Sequence, residues 1–127
     1  MLLSKGAHCL LLHAHLPWFR DQQALNDYGI WWFYECLAES YLPLTNVFSG
    51  ISNNQYELKF ILSCSAPLLS MLSSQEICDG FERYLKSRIK LAKSEAIRNY
   101  YSKHEKAVCE HYQKYYSNIL DNWYELN

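Results

Sequence analysis

Two apolar runs punctuate this chain, and between and after them apolar positions recur at threes and fours. The first run is Cys9-Leu10-Leu11-Leu12-His13-Ala14-His15-Leu16-Pro17, unbroken leucine closed by two histidines and a proline. Continuous rather than alternating apolar character predicts a strand buried on both faces of a parallel sheet, over about residues 7–15. Next, Trp32 or Phe33, Leu37, Tyr41, Leu44 and Phe48 mark a helix over about residues 30–49, with Gly50 as its stop. Pro43 lies inside this pattern and predicts a kink or two short helices. Ser52-Asn53-Asn54 has turn chemistry.

The second run, from Tyr56 to Ser65, reads as a second strand over about residues 56–65 that Ala66-Pro67 breaks. From there to about residue 126 the pattern is helical, beginning with a short segment from Leu68 to Leu72. Ser73-Ser74-Gln75-Glu76 fits a capping box, with Ser73 as N-cap and Glu76 reaching back. Ile77, Phe81, Leu85, Ile89, Ala92 and Ala96 then share one helical face. A last stripe holds Tyr101, Val108, Tyr112, Tyr115, Ile119 and Trp123, whose tyrosines suit a helix–helix seam.

Strand, helix, strand of this spacing is a βαβ unit, so the class is α/β with two parallel strands followed by long helices. Two strands do not make an independent parallel sheet, because such sheets are covered on both faces and carry more strands. The 127 residues therefore read as a single partial domain, the opening portion of a larger α/β protein. Long helices wrapping two strands into a small α+β unit, or a sheet completed by a partner, are the alternatives. An open strand edge and bare apolar helix faces predict that the isolated chain is poorly soluble or needs a partner.

Composition narrows the functions. With 50% hydrophobic residues and 20% charged, the chain is no disordered tail. A formal charge of -1 with mixed signs leaves no footprint for nucleic acid or an anionic membrane. No stretch approaches the length of a membrane span. Five scattered cysteines without a CxxC pair fit reduced thiols and a cytoplasmic protein.

Chemistry concentrates where the first run ends. Side chains alternate along a strand, so His13 and His15 share a face at its carboxyl end. Such a pair is half of a metal site, but three or four protein ligands are needed and no convincing third stands out, His104 and His111 lying on a late helix. A packed, hydrogen-bonded pair without function, or contact with a polar ligand at the sheet edge where α/β proteins place their sites, are the other readings. The second run also ends in a polar step, Ser63-Cys64-Ser65, and Ser65 can look into the same cavity or cap the following turn. Trp18, Tyr28, Trp31 and Trp32 lie in or beside the loop after the first strand, where an aromatic platform suits a sugar, although most of the aromatics suit a core. No Gly-rich phosphate loop, GxSxG or HExxH is present, and no carboxylate pair occupies a credible site: Asp21 and Asp27 are in a loop, Glu35 and Glu39 on a helix, and Glu57 at the far end of a strand.

Leu12-His13-Ala14-His15-Leu16-Pro17, with Arg20 shortly after, resembles the first signature region of glycoside hydrolase family 57, in the form of its 1,4-α-glucan branching-enzyme branch. Trp32-Phe33-Tyr34-Glu35 and Glu39-Ser40-Tyr41-Leu42-Pro43-Leu44 resemble the family's first helix, the kink proline included. Leu62 to Leu72 resembles its second strand and exit, and Phe81 to Glu95 the following helix. Ala66 in place of a usual proline, the loop from Asp21 to Tyr28, and Trp31 where an acidic residue is common depart from the pattern.

The resemblance implies the N-terminal part of an incomplete (β/α)7 barrel with its sugar site at the strand carboxyl ends. It implies retaining chemistry on α-glucans, with two carboxyl groups roughly 5 Å apart that lie downstream of the matched region, so no catalytic residue is expected in this chain. His13 and His15 would line the innermost sugar subsite, with Trp32 near the cleft; Ser65 joins the candidate site on its strand-end position alone. The expected partners are an α-glucan and the missing C-terminal part of the barrel, with no cofactor and no metal. A non-catalytic glucan-binding or helical interaction module, and an HxH metal-site fragment of the deacetylase kind, are the competing readings.

Overall fold

The computed structural model describes residues 9–19, 28–53, 60–98 and 102–126. A first strand β1 (Leu10–Ala14) leads to helix α1 (Tyr28–Cys36), a π-helical turn (Leu37–Tyr41) and helix α2 (Leu42–Asn53). Strand β2 (Phe60–Cys64) follows, then α3 (Ala66–Leu72), α4 (Gln75–Arg98) and α5 (Lys103–Leu126). The two strands pair in parallel, from Leu10 opposite Phe60 to Ala14 opposite Cys64. Arg20, Asp21, Asp27, Asn54, Glu57 and Tyr101, all singled out in the sequence, lie outside the described residues.

The core sits on one side of this sheet. Phe33, Leu68, Met71, Phe81 and Leu85 are fully buried at the junction of α1, α3 and α4. Tyr116 and Ile119 of α5 close it, and Trp123 meets Phe81 edge-on at 5.0 Å. Tyr34 packs against both Phe81 and Tyr84, tying α1 to α4. Among the described residues, no helix is long and apolar enough to cross a membrane.

The expectation of a first strand buried on both faces needs correction. Ala14 and Cys64, side by side in the register, turn toward the helical core. Leu11 and Ile61 share the opposite face and are 60% and 52% exposed. Leucine runs encode what a strand is compatible with, while burial on the second face requires a layer that the described residues do not supply.

The proline-kinked helix takes a definite form. Pro43 has no N–H, and its ring clashes with the carbonyl four residues back in a regular helix. The chain relieves this one turn earlier by widening to π geometry, in which the Leu42 amide donates to the Leu37 carbonyl. Gly50 does not stop α2. The helix runs three residues further, and Ser52 and Asn53 are its last residues rather than a turn.

The capping box is likewise replaced. Ser73 ends α3, its amide and its hydroxyl both turned back to the Leu69 carbonyl, and Ser74 is the residue before α4. Two helices are separated by only two residues here, so the nearer unpaired carbonyls of α3 capture the serine that α4 would have used. Pro67 opens α3 rather than merely ending β2, since its fixed φ suits a first helical turn.

Candidate functional site

The carboxyl edge of the sheet gathers the polar residues. The parallel register sets His13 opposite Ser63, and His13 Nδ1 lies 3.1 Å from Ser63 Oγ. His15, just past the end of β1, stacks on His13 with ring centroids 5.7 Å apart and planes 17° from parallel. Both rings are exposed, and they stand on the same open face as Leu11 and Ile61. Beyond the Ser63 contact, the pair presents three further ring nitrogens for hydrogen bonds to a ligand.

Ser65 stands at the N-cap of α3, where its amide donates to the Ala14 carbonyl at 3.0 Å and prolongs the β1–β2 pairing by one bond. Its hydroxyl makes no cap bond and is buried without a partner in the structure. The expected capping of the turn by this side chain is therefore not made. Trp32 projects from α1 half exposed, and its ring meets the edge of Phe19, two residues after Pro17. That contact brings Trp32 beside the segment that carries the histidines.

Ser63 is the residue the sequence reading passed over in favour of Ser65. Period-two alternation makes either serine compatible with the histidine face, and only the register separates them. The neighbouring tryptophan, Trp31, faces elsewhere: it packs edge-on against Tyr84, and the Arg88 guanidinium lies 5.3 Å from its ring centre. Arg88 also pairs with Glu35 at 3.1 Å, and Glu39 accepts the Tyr116 hydroxyl at 3.4 Å. Both helical carboxylates are therefore engaged on the helix side of the molecule.

Among the described residues, no group of three His, Cys, Asp or Glu side chains is placed to hold an ion. His104 and His111 are exposed on α5. All five cysteines are free thiols, and burial pushes Cys36 and Cys78 above the usual thiol range, which suppresses thiolate chemistry there.

This arrangement can be set against known proteins. The 1,4-alpha-glucan branching enzyme TK1436 of Thermococcus kodakarensis is 24% identical over 123 residues, which are 97% of this chain and 18% of that enzyme. The alpha-amylase AmyC from Thermotoga maritima superposes with a TM-score of 0.79 at 26% identity, over 93% of this chain and 22% of its own. The match is to the N-terminal region of glycoside hydrolase family 57.

Two family 57 branching enzymes extend the likeness in fold. That of Pyrococcus horikoshii gives a TM-score of 0.83 at 21% identity, over 93% of this chain and 22% of its own. The TK1436 structure, in complex with glucose and additives, gives 0.82 at 20% identity, over 94% and 21%. The chain thus spans about a fifth of the length of these family 57 relatives. Its two parallel strands followed by long helices superpose on that part of these family 57 structures. No family model matches the chain.

Proposed function

We propose that this chain is the N-terminal portion of a retaining, α-glucan-active glycoside hydrolase or transglycosylase of branching-enzyme type. In that role it forms one wall of the sugar site and contributes no catalytic carboxylate. The observation that carries the reading is the stacked His13–His15 pair, braced by Ser63, on the uncovered face of the sheet at its carboxyl edge. In a barrel the helices cover the outside of the strands, so the face turned away from the helices becomes the interior. Leu11 and Ile61 then belong to the barrel filling, and the two imidazoles stand at its mouth.

There the imidazoles orient glucose hydroxyls, and Trp32 offers an apolar ring to the C–H face of a sugar. Positioning of this kind raises a rate by fixing geometry, without making or breaking the bond. The remaining part of the barrel, carrying both carboxylates, is the expected partner. Free thiols throughout accord with a cytoplasmic setting.

Titration of the 127-residue chain with a linear maltooligosaccharide, followed by imidazole and amide NMR shifts, tests the site. The expected result is saturable shifts at His13 and His15 that His13→Ala removes, with no glucan cleavage or transfer by iodine staining or reducing-end assay. Turnover by this chain alone, abolished by His13→Ala, would overturn the non-catalytic role. A stoichiometric ion lost in His15→Ala would overturn the sugar site in favour of a metal site.

A further inference from the structure

Away from the histidine edge, α2 and α5 leave an open recess of about 480 Å³ between them. Its size falls within the range of clefts that take small ligands, roughly 300–1,000 Å³. Asn46 enters it from α2, while Asn118 and Asn122 enter from successive positions of one α5 face, with Asp121 beside them. None of these four side chains spends its polar atoms on a hydrogen bond or ion pair among the described residues.

The floor is of another character. Pro43 and the buried Ile119 are apolar, and Tyr115 adds an aromatic wall. That ring cannot swing, because its hydroxyl is committed to the Ala38 carbonyl at 2.8 Å. No lysine or arginine lines the recess, so it has nothing to offer a phosphate or another anion. A single carboxylate among carboxamides is also a poor set for a divalent cation.

Three carboxamides that both donate and accept, one acceptor-only carboxylate and a fixed aromatic wall over an apolar floor match one ligand chemistry. It is a neutral polyol with vicinal hydroxyls on its rim and C–H groups on its face. We infer that the α2–α5 recess binds a neutral gluco-oligosaccharide, holding a stretch of chain at a place in the fold other than the histidine edge. The sugar's identity rests on the glucan reading above; the recess itself does not.

The test is an NMR titration of the 127-residue chain with maltohexaose, comparing wild type, Asn118→Ala/Asn122→Ala, Asp121→Asn and His13→Ala. Saturable amide shifts are expected at residues 43–46 and 115–122. Losing two neutral hydrogen bonds should weaken that response about tenfold in the double variant. The Asp121→Asn variant, which keeps the shape, should weaken it less, and His13→Ala should leave it unchanged. Far-UV circular dichroism and melting curves check that each variant folds. Wild-type binding by a folded double variant, or shifts confined to the histidine edge, would overturn the inference while leaving the proposed function intact. Shifts confined to the recess would uphold it and count against the histidine site.

Discussion

Tyr115 donates its phenolic hydroxyl to the main-chain carbonyl of Ala38 at 2.8 Å, across 77 positions of sequence. The reason lies five residues after Ala38. In an α-helix that carbonyl would take the Leu42 amide, but the π turn directs this amide to Leu37. The next amide in line belongs to Pro43 and does not exist. A helical carbonyl is left without a main-chain donor, and α5 supplies one. The same tyrosine pins α5 over the π turn and walls the recess beside it.

Tyr115→Phe should therefore cost about 1–3 kcal/mol, the penalty for leaving a buried carbonyl unpaired. Urea unfolding measures it. In a Pro43→Ala background an amide returns near Ala38, so the added cost of Tyr115→Phe should shrink. Strict additivity in the double-mutant cycle would refute this account.

Gly80→Ala should destabilise the protein even though alanine favours a helix by about 1 kcal/mol. A Cβ at Gly80 would collide with the Tyr34 phenol oxygen and stand 3.0 Å from Tyr34 Cζ. Tyr34 is buried between α1 and α4, so the ring has little room to yield. Removing the oxygen with Tyr34→Phe should recover part of the loss. Thermal melting of the two single variants and the pair checks the coupling.

The two faces of the sheet should respond oppositely to truncation. Leu11→Thr or Ile61→Thr, on the uncovered face, should change the stability of this chain by no more than about 0.5 kcal/mol. Met71→Ala, in the sealed helical core, should cost about 2–5 kcal/mol. A large penalty for Ile61→Thr in denaturant unfolding would mean that the open face is covered in solution.

Alkaline pH should unfold the protein earlier than its exposed tyrosines alone would require. Burial holds the hydroxyls of Tyr84, Tyr115 and Tyr116 above the ordinary value of 10, with Glu39 adding to the effect on Tyr116. A raised folded-state value means that only the unfolded chain ionises just above pH 10. The stabilisation is complete below that pH and falls as pH rises from it toward the folded-state values. Tyr116→Phe should flatten this decline, with little cost at neutral pH because its bond to Glu39 is long at 3.4 Å. Stability measured from pH 8 to 11.5 or so checks both the sign and the window.

Much of this molecule is legible in its side-chain pattern. The leucine run, the polar exit of the second strand and the two helical stripes are local properties, set by alternation and by the 3.6-residue turn. So is the sharing of one face by His13 and His15, which follows from strand parity and holds in the stacked rings. Pro43 announced a break because a missing N–H and a rigid ring act on their own helix, wherever it packs.

Other features depend on partners distant in sequence. That the helix yields through a π turn was settled by Tyr115, which takes up the stranded carbonyl. That Ser63 rather than Ser65 meets His13 was settled by register, since one strand cannot reveal its alignment with another. Gly50 and Ser73 carry strong local signals for a stop and a cap, yet α2 runs on to Asn53 and the end of α3 claimed the serine. Burial of β1 is the clearest case. Its sequence encodes compatibility with two covered faces, but coverage is a relation between layers, and the described helices lie on one side only.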